Sequence, residues 1–233
     1  MKTRLAVLVV LLSAIVLAQT VAPSSVEITA EPSHHLVLQN EQLRAFQVEV
    51  RPHASTLLHH HAHDYIFVTL GASQVENDVE GKPPVSLKLQ DGETRFVSGN
   101  FSHVAKNLAD TPFRNVTVEF LKDGNGAAPA KWDEERGVDV FTGGSKDILF
   151  VKDGVRVSEF ELQPGATVPR HHHNGPHLLI AVSDLEIRSD VEGKGAMPGS
   201  AKSGEVKWLP GGYTHTLTNV GKSAAKFVTL EFP

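Results

Sequence analysis

Apolar and polar residues alternate in short runs along most of the chain, as in FQVEV (46–50), VSLKL (85–89), ETRFV (93–97) and FRNVTVEF (113–120). Alternation with period two places one set of side chains on each face of a strand. YIFVTL (65–70) is a more continuous apolar run rich in aromatic and β-branched residues, which also reads as a strand. Clusters of Gly, Pro, Asn and Asp separate these runs, and no long stretch carries helical periodicity. The expected architecture is all-β, built as sandwiches or jelly-roll barrels. One exception is KWDEER (131–136), which is expected to form a short helix.

The pattern repeats. DVEGK occurs at Asp78–Lys82 and again at Asp190–Lys194, an offset of 112 residues. Carried along the chain without a gap, the same offset pairs Arg44 with Arg156, His59-His60-His61 with His171-His172-His173, Gly99 with Gly211 and His103 with His215. It also pairs Asn107 with Asn219 and Glu119 with Glu231. Two copies of one β unit are therefore expected, at 34–120 and 147–233, with a Gly/Ala/Pro-containing connector at 121–146.

The first residues differ from the rest. Lys2 and Arg4 precede an apolar run from Leu5 to Leu12, and small residues follow up to Ala18. This is the layout of a secretory signal over 1–18, and its apolar stretch is short of the about 20 residues needed to span a bilayer. A secreted or periplasmic protein without a stable membrane span after cleavage is expected. The chain has no cysteine, which excludes disulfides and thiolate chemistry. A net charge of −5 with scattered basic residues gives no nucleic-acid footprint, so the expected partner is a small molecule.

Thirteen histidines are the chemical signal. His171 and His173 are two apart on a predicted strand, so both point to one face while His172 points away. His177 follows at the head of HLLIAV, and His215 lies in WLPGGYTHTLTN. Imidazoles aimed at one point form a plausible coordination sphere for a divalent transition metal.

These residues resemble the two motifs of the cupin family. The first motif, Gly, five residues, His-x-His, then usually Glu, is matched by Gly165, His171 and His173, with His177 in place of Glu. The second, Gly, five residues, Pro-x-Gly, two residues, His, three residues, Asn, is matched in full by Gly204, Pro210, Gly212, His215 and Asn219. Both repeats are covered, so the resemblance implies a bicupin of two double-stranded β-helix (jelly-roll) barrels. In the first repeat His59, His61 and His103 stand at three ligand positions, but Tyr65 replaces the fourth, Ser98 replaces Pro210, Asn100 replaces Gly212 and His53 replaces Gly165.

The resemblance implies metal ligation by His171, His173, His177 and His215, and by His59, His61 and His103, with the metal open among Fe, Mn, Zn, Ni and Cu. It implies pairing of chains as the form of self-association. Fold alone cannot choose the reaction. An all-imidazole sphere departs from the three-His-one-Glu set of oxalate-degrading bicupins and resembles cupin dioxygenases. The leading expectation is a dioxygenase-like oxidoreductase acting on a small anionic or enolisable substrate. The alternatives are a non-catalytic exported binding or storage cupin, and a metal-dependent lyase or isomerase with Tyr65 or His63 as base.

Overall fold

The structure, a computed structural model, describes residues 24–122 and 132–233. The expected signal segment at 1–18 and Lys131 lie outside the described residues. The regular structure of the described residues is β-strand, apart from one 3-10 turn at Ile28–Ala30.

Each repeat folds into two facing sheets. In the first, His34–Gln39, Leu43–Val50, Phe113–Phe120, Tyr65–Leu70 and Thr94–Val97 form one sheet in that order. The other runs Val26–Glu27, His59–His61, Phe101–Asn107, Ser73–Val79 and Val85–Leu89. The second repeat reproduces the second of these layers as Thr167–His173, Tyr213–Asn219, Leu185–Val191 and Gly195–Ala201. Its other sheet runs Trp132–Asp133, Gly144–Lys152, Val155–Leu162, Ala225–Glu231, His177–Ala181 and Val206–Leu209, with Gly137–Phe141 also paired to Gly144–Lys152. The 112-residue offset thus holds strand by strand. It holds in register too, since His59 faces His103 and His171 faces His215.

Where the first repeat's sequence departs from the cupin motif, its backbone does not. His53 (φ 55°) and Asn100 (φ 63°) keep the left-handed conformation that Gly165 (φ 81°) and Gly212 (φ 78°) adopt at the matching positions. His and Asn tolerate that region better than most residues with a side chain. Asn107 and Asn219 likewise act on backbone. Each donates from Nδ2 to carbonyls of neighbouring turns, Asn219 to Leu162 and Ser223, both at 2.9 Å, and Asn107 to Thr111 at 2.8 Å.

The helix expected over 131–136 does not form in its described part. Trp132–Asp133 pairs instead with Val151 and Lys152, and the Trp132 ring packs edge-on against Phe96 and Phe150. A single isolated turn of helix is unstable in water, whereas this indole gains aromatic contacts.

Three apolar clusters hold the molecule together. Phe46, Val48, Val50, Val75, Leu89 and Phe113 fill the first barrel, and Phe160, Leu162, Leu179, Leu185, Leu217 and Phe227 fill the second. The largest cluster lies between the barrels. There Leu43, Ile66, Val68, Val116 and Val118 of the first repeat meet Val157, Leu178, Ile180, Val228 and Leu230 of the second. This explains the continuous apolar run at 65–70: Ile66, Val68 and Leu70 face the other barrel while Tyr65 and Phe67 face their own.

The barrel-to-barrel contact is also symmetric. Arg114 donates to the Ser203 carbonyl at 3.2 Å, and its offset mate Lys226 donates to the Asp91 carbonyl, also at 3.2 Å. Gly204 packs against Leu70 and Arg114, and Gly92, its mate, packs against Lys226 and Glu159. The repeats are therefore related by an internal pseudo-two-fold axis, as in an isologous interface. Lys152 crosses the same interface. Its side chain is 6% exposed, and its Nζ lies 3.0 Å from Asp64 Oδ2, beside Asp153 and 4.6 Å from the centre of the Phe96 ring.

Candidate metal centres

In the C-terminal barrel, antiparallel pairing sets His171 opposite His215 and His173 opposite Tyr213. His172, between the two ligand candidates, turns outward to Thr214, as alternation requires. The three remaining imidazoles converge. His215 Nε2 lies 3.0 Å from His171 Nε2 and 3.1 Å from His173 Nε2. A metal–nitrogen bond of about 2.1 Å separates two ligand atoms at right angles by about 3.0 Å. The spacing therefore fits His215 beside each of the other two on one metal ion, with all three ligand atoms within 4.8 Å of one another.

The outer nitrogens are committed elsewhere. His171 Nδ1 donates to the Pro169 carbonyl (2.8 Å), and His215 Nδ1 lies 2.6 Å from Ser189 Oγ. His173 Nδ1 lies 2.8 Å from Glu231 Oε1, off the line of a straight hydrogen bond, so the contact is mainly electrostatic. Glu231 is itself held by Arg156 at 3.2 Å. Partners of this kind fix a ligand ring's tautomer and leave Nε2 as the electron-pair donor. Burial, joined by repulsion from His171 and His173, holds the His215 imidazole down to about 3, and burial also lowers His171. These two rings are therefore neutral in ordinary buffers, the state a metal requires.

His177 stays outside this group of three. Its ring stacks on that of His173, with centroids 4.0 Å apart and planes 13° from parallel, and its Nε2 lies 3.4 Å from the Tyr213 hydroxyl. Burial pushes it down to about 4, so it too is neutral. Position 65 in the first barrel behaves alike: Tyr65 stacks on His61 at 4.1 Å and 16°. The position that carries the family's usual Glu thus serves in both barrels as a stacking platform.

The N-terminal barrel gathers His59, His61 and His103, as their spacing predicts. His103 Nε2 lies 3.2 Å from His61 Nε2, and the His59 and His103 rings are 4.5 Å apart. Burial holds His59 down to about 4, and burial with neighbouring imidazoles holds His61 and His103 down to about 2. His61 Nδ1 lies 3.1 Å from Glu119, which Arg44 grips in turn. This Arg–Glu–His relay is the offset copy of Arg156–Glu231–His173. Sequence reasoning noticed both repeated charges and gave them no role. It missed His34 altogether, because the offset maps that position onto Lys146. His34, His59 and His61 nonetheless bring ligand atoms within 4.8 Å of one another.

The two residues expected as bases stand in different settings. Tyr65 is 5% exposed, and burial together with the Glu119 charge pushes its phenol far above the ordinary range, so it stays protonated and cannot accept a proton. His63 is half-buried on the loop after His59–His61, with its backbone against Gly99.

Beside His171, His173 and His215 a cavity of about 330 Å³ opens into the C-terminal barrel. Its wall is largely apolar, including Leu179, Ile187, Val191, Met197, Leu209 and Phe227. Lys194 and Lys207 are its lysines, and Lys207 is bonded to the Ser200 carbonyl.

No family model matches the sequence. No curated protein sequence matches it either. Among solved structures, it is similar to AerE from Microcystis aeruginosa, with 12% identity, a TM-score of 0.61 and coverage of 87% of this chain and 98% of that one. It is also similar to a serine-to-alanine mutant of Bacillus subtilis oxalate decarboxylase, with 16% identity, a TM-score of 0.60 and coverage of 82% of this chain and 69% of that one. The Bacillus subtilis enzyme at pH 4.6 gives 15% identity, a TM-score of 0.59 and coverage of 82% and 68%. At such identities the likeness carries the fold alone.

Proposed function

The chain has the two-barrel cupin fold with histidine groups suited to metal, and from that premise we propose that it is an exported, metal-dependent oxidoreductase of the dioxygenase kind. The reaction would place both atoms of dioxygen in the product of an enolisable substrate with an apolar body. The observation that carries this reading is the C-terminal triad, where His215 Nε2 lies about 3 Å from Nε2 of both His171 and His173 beside an apolar cavity.

A divalent metal held by His171, His173 and His215 would supply Lewis acidity toward a substrate oxygen and, if redox-active, a route for electrons. The protein's own groups do the rest. Ser189, the Pro169 carbonyl and the Arg156–Glu231 pair lock the three rings. Leu179, Ile187, Val191 and Met197 exclude water and hold an apolar body with its oxygens toward the triad. Tyr213, protonated because burial raises its phenol to about 12, and neutral His177 stand at the edge of the triad, where they can hydrogen-bond a substrate oxygen. An oxalate-sized dianion would leave most of this apolar wall unused. Export is supported by the basic residues ahead of the Leu5–Leu12 run and by the small residues that follow it up to Ala18.

Metal analysis of the protein purified from its exported location, combined with oxygen uptake on catechol-like and diketone substrates, tests the proposal. A redox-active metal with oxygen consumption is expected. Zinc with no oxygen uptake on any of these substrates would sink the dioxygenase reading.

A further inference from the structure

The N-terminal barrel contains more imidazole than its motif provides. His34, from the strand beside Leu43–Val50, lies with its ring 4.8 Å from that of His59. Its exposure is 9%, against 0% for His59, 1% for His61 and 9% for His103. Each of the four rings has its Nδ1 engaged. His34 meets Glu31 Oε2 at 2.7 Å, His59 the Leu57 carbonyl at 2.9 Å, His61 Glu119 at 3.1 Å and His103 the Asn77 side-chain oxygen at 2.5 Å. With the proton on Nδ1, Nε2 of a neutral ring is a lone pair.

These nitrogens gather in the barrel. The Nε2 atoms of His61 and His103 lie 3.2 Å apart. His59 Nε2 is fully buried and has no hydrogen-bond partner. Buried unpaired acceptors facing one another are costly unless a cation sits among them. Glu31 shows that His34 is placed rather than incidental. This carboxylate is 2% exposed and accepts from the Ser33 and Leu57 backbone N–H groups at 2.8 and 3.1 Å while holding His34. In the other barrel the matching positions are Gly143 and Lys146, so the Glu31–His34 pair belongs to the first barrel alone.

We infer that the N-terminal barrel holds its own divalent cation through His34, His59 and His61, whose ligand atoms lie within 4.8 Å of one another, and that His103, 3.2 Å from His61, completes a four-imidazole centre that stabilises the fold beside a cavity of about 350 Å³. Closed four-ligand sites are structural, whereas reactive sites keep a position open. The fourth imidazole has changed sides between the repeats. His34 joins the ligands in one barrel, while His177 stacks behind them in the other.

The test uses full-length apoprotein reconstituted with Co²⁺, read by metal equivalents, visible spectrum and thermal midpoint. Wild type should bind two equivalents. His215→Ala should bind one, and His34→Gln, which keeps His59, His61 and His103, should hold its N-terminal equivalent about 10- to 100-fold more weakly. His34→Gln should also lose most of the rise in thermal midpoint that cobalt gives the N-terminal site. Azide should perturb the cobalt spectrum of wild type and leave that of His215→Ala, where only the N-terminal site is filled, unchanged. Should His34→Gln fail to fold, Glu31→Gln keeps the imidazole but frees it, and an about 10- to 100-fold weaker N-terminal site is expected, the effect of losing such a carboxylate. An unchanged N-terminal affinity in His34→Gln overturns the inference, as does azide binding to the N-terminal site in His215→Ala. A wild type that binds a single equivalent, lost in His215→Ala but not in His34→Gln, overturns it while sparing the proposed function. No metal in wild type overturns both.

Discussion

His171 and His215 face each other across two antiparallel strands with their Nε2 atoms 3.0 Å apart, although 44 positions separate them in the chain. Neither strand alone makes a site. Removing His215 should therefore abolish the C-terminal centre rather than weaken it. In His215→Ala, metal analysis should show the loss of one equivalent, and oxygen uptake should fall to background.

Glu231 acts one step further out, through His173. Glu231→Gln keeps the shape and removes the charge that both orients the ring and strengthens its donor nitrogen. Metal affinity at the C-terminal site should drop about 10- to 100-fold. Competition with a chelator of known affinity measures it, with the N-terminal site as internal reference. An unchanged affinity would show that the Arg156–Glu231 pair serves packing only.

Tyr65 is a stacking residue and not a base. Burial holds its phenol protonated, and removing the hydroxyl should leave oxygen uptake unchanged across about pH 6–9, a range below the ordinary tyrosine value of about 10. A tenfold loss in Tyr65→Phe would restore it to the catalytic machinery.

Lys152 ties the barrels together through Asp64. Burial alone lowers the lysine, but Asp153 and Asp64 outweigh it and hold the amine above its ordinary value near 10.5. A base raised in the folded state stabilises fully below its unfolded value and loses that contribution as pH rises through the folded value. The thermal midpoint of wild type should thus fall in the alkaline range above pH 10.5, and that of Lys152→Met should fall less. At neutral pH, Lys152→Met removes a buried ammonium from beside Asp64 and Asp153 and should cost about 3 kcal/mol in urea unfolding.

Gly211 is needed for space. A Cβ there would overlap the backbone of Gly175, and at Gly99 it would overlap the backbone of His63. Gly211→Ala should push the turn away from the loop after His173 and destabilise by about 1–3 kcal/mol. Gly212→Ala, with nothing near its Cβ, tests only the positive φ.

The strands, the duplication and three converging histidines per barrel were legible because each leaves a local trace: period-two alternation, identical residues at one offset, and His-x-His on a single face. What stayed hidden came from packing. Ser189 and Asn77 occupy matched positions behind the last histidine of each barrel, but they differ in type, so the repeat did not reveal them. His34 was invisible for the same reason, since its mate is a lysine. His177 read as a ligand from its spacing, yet ring stacking on His173 decides its place. The helix expected at 131–136 failed because aromatic contacts of Trp132 lie far away in sequence.

The internal pseudo-two-fold axis means that this chain is its own partner. Ile66, Val68, Leu178 and Ile180 would all be uncovered if the repeats were separated, so either half expressed alone should self-associate or aggregate instead of folding as a monomer. The same axis carries His59 toward His171, which lets two centres of one ancestry sit at a fixed separation while their surroundings change independently.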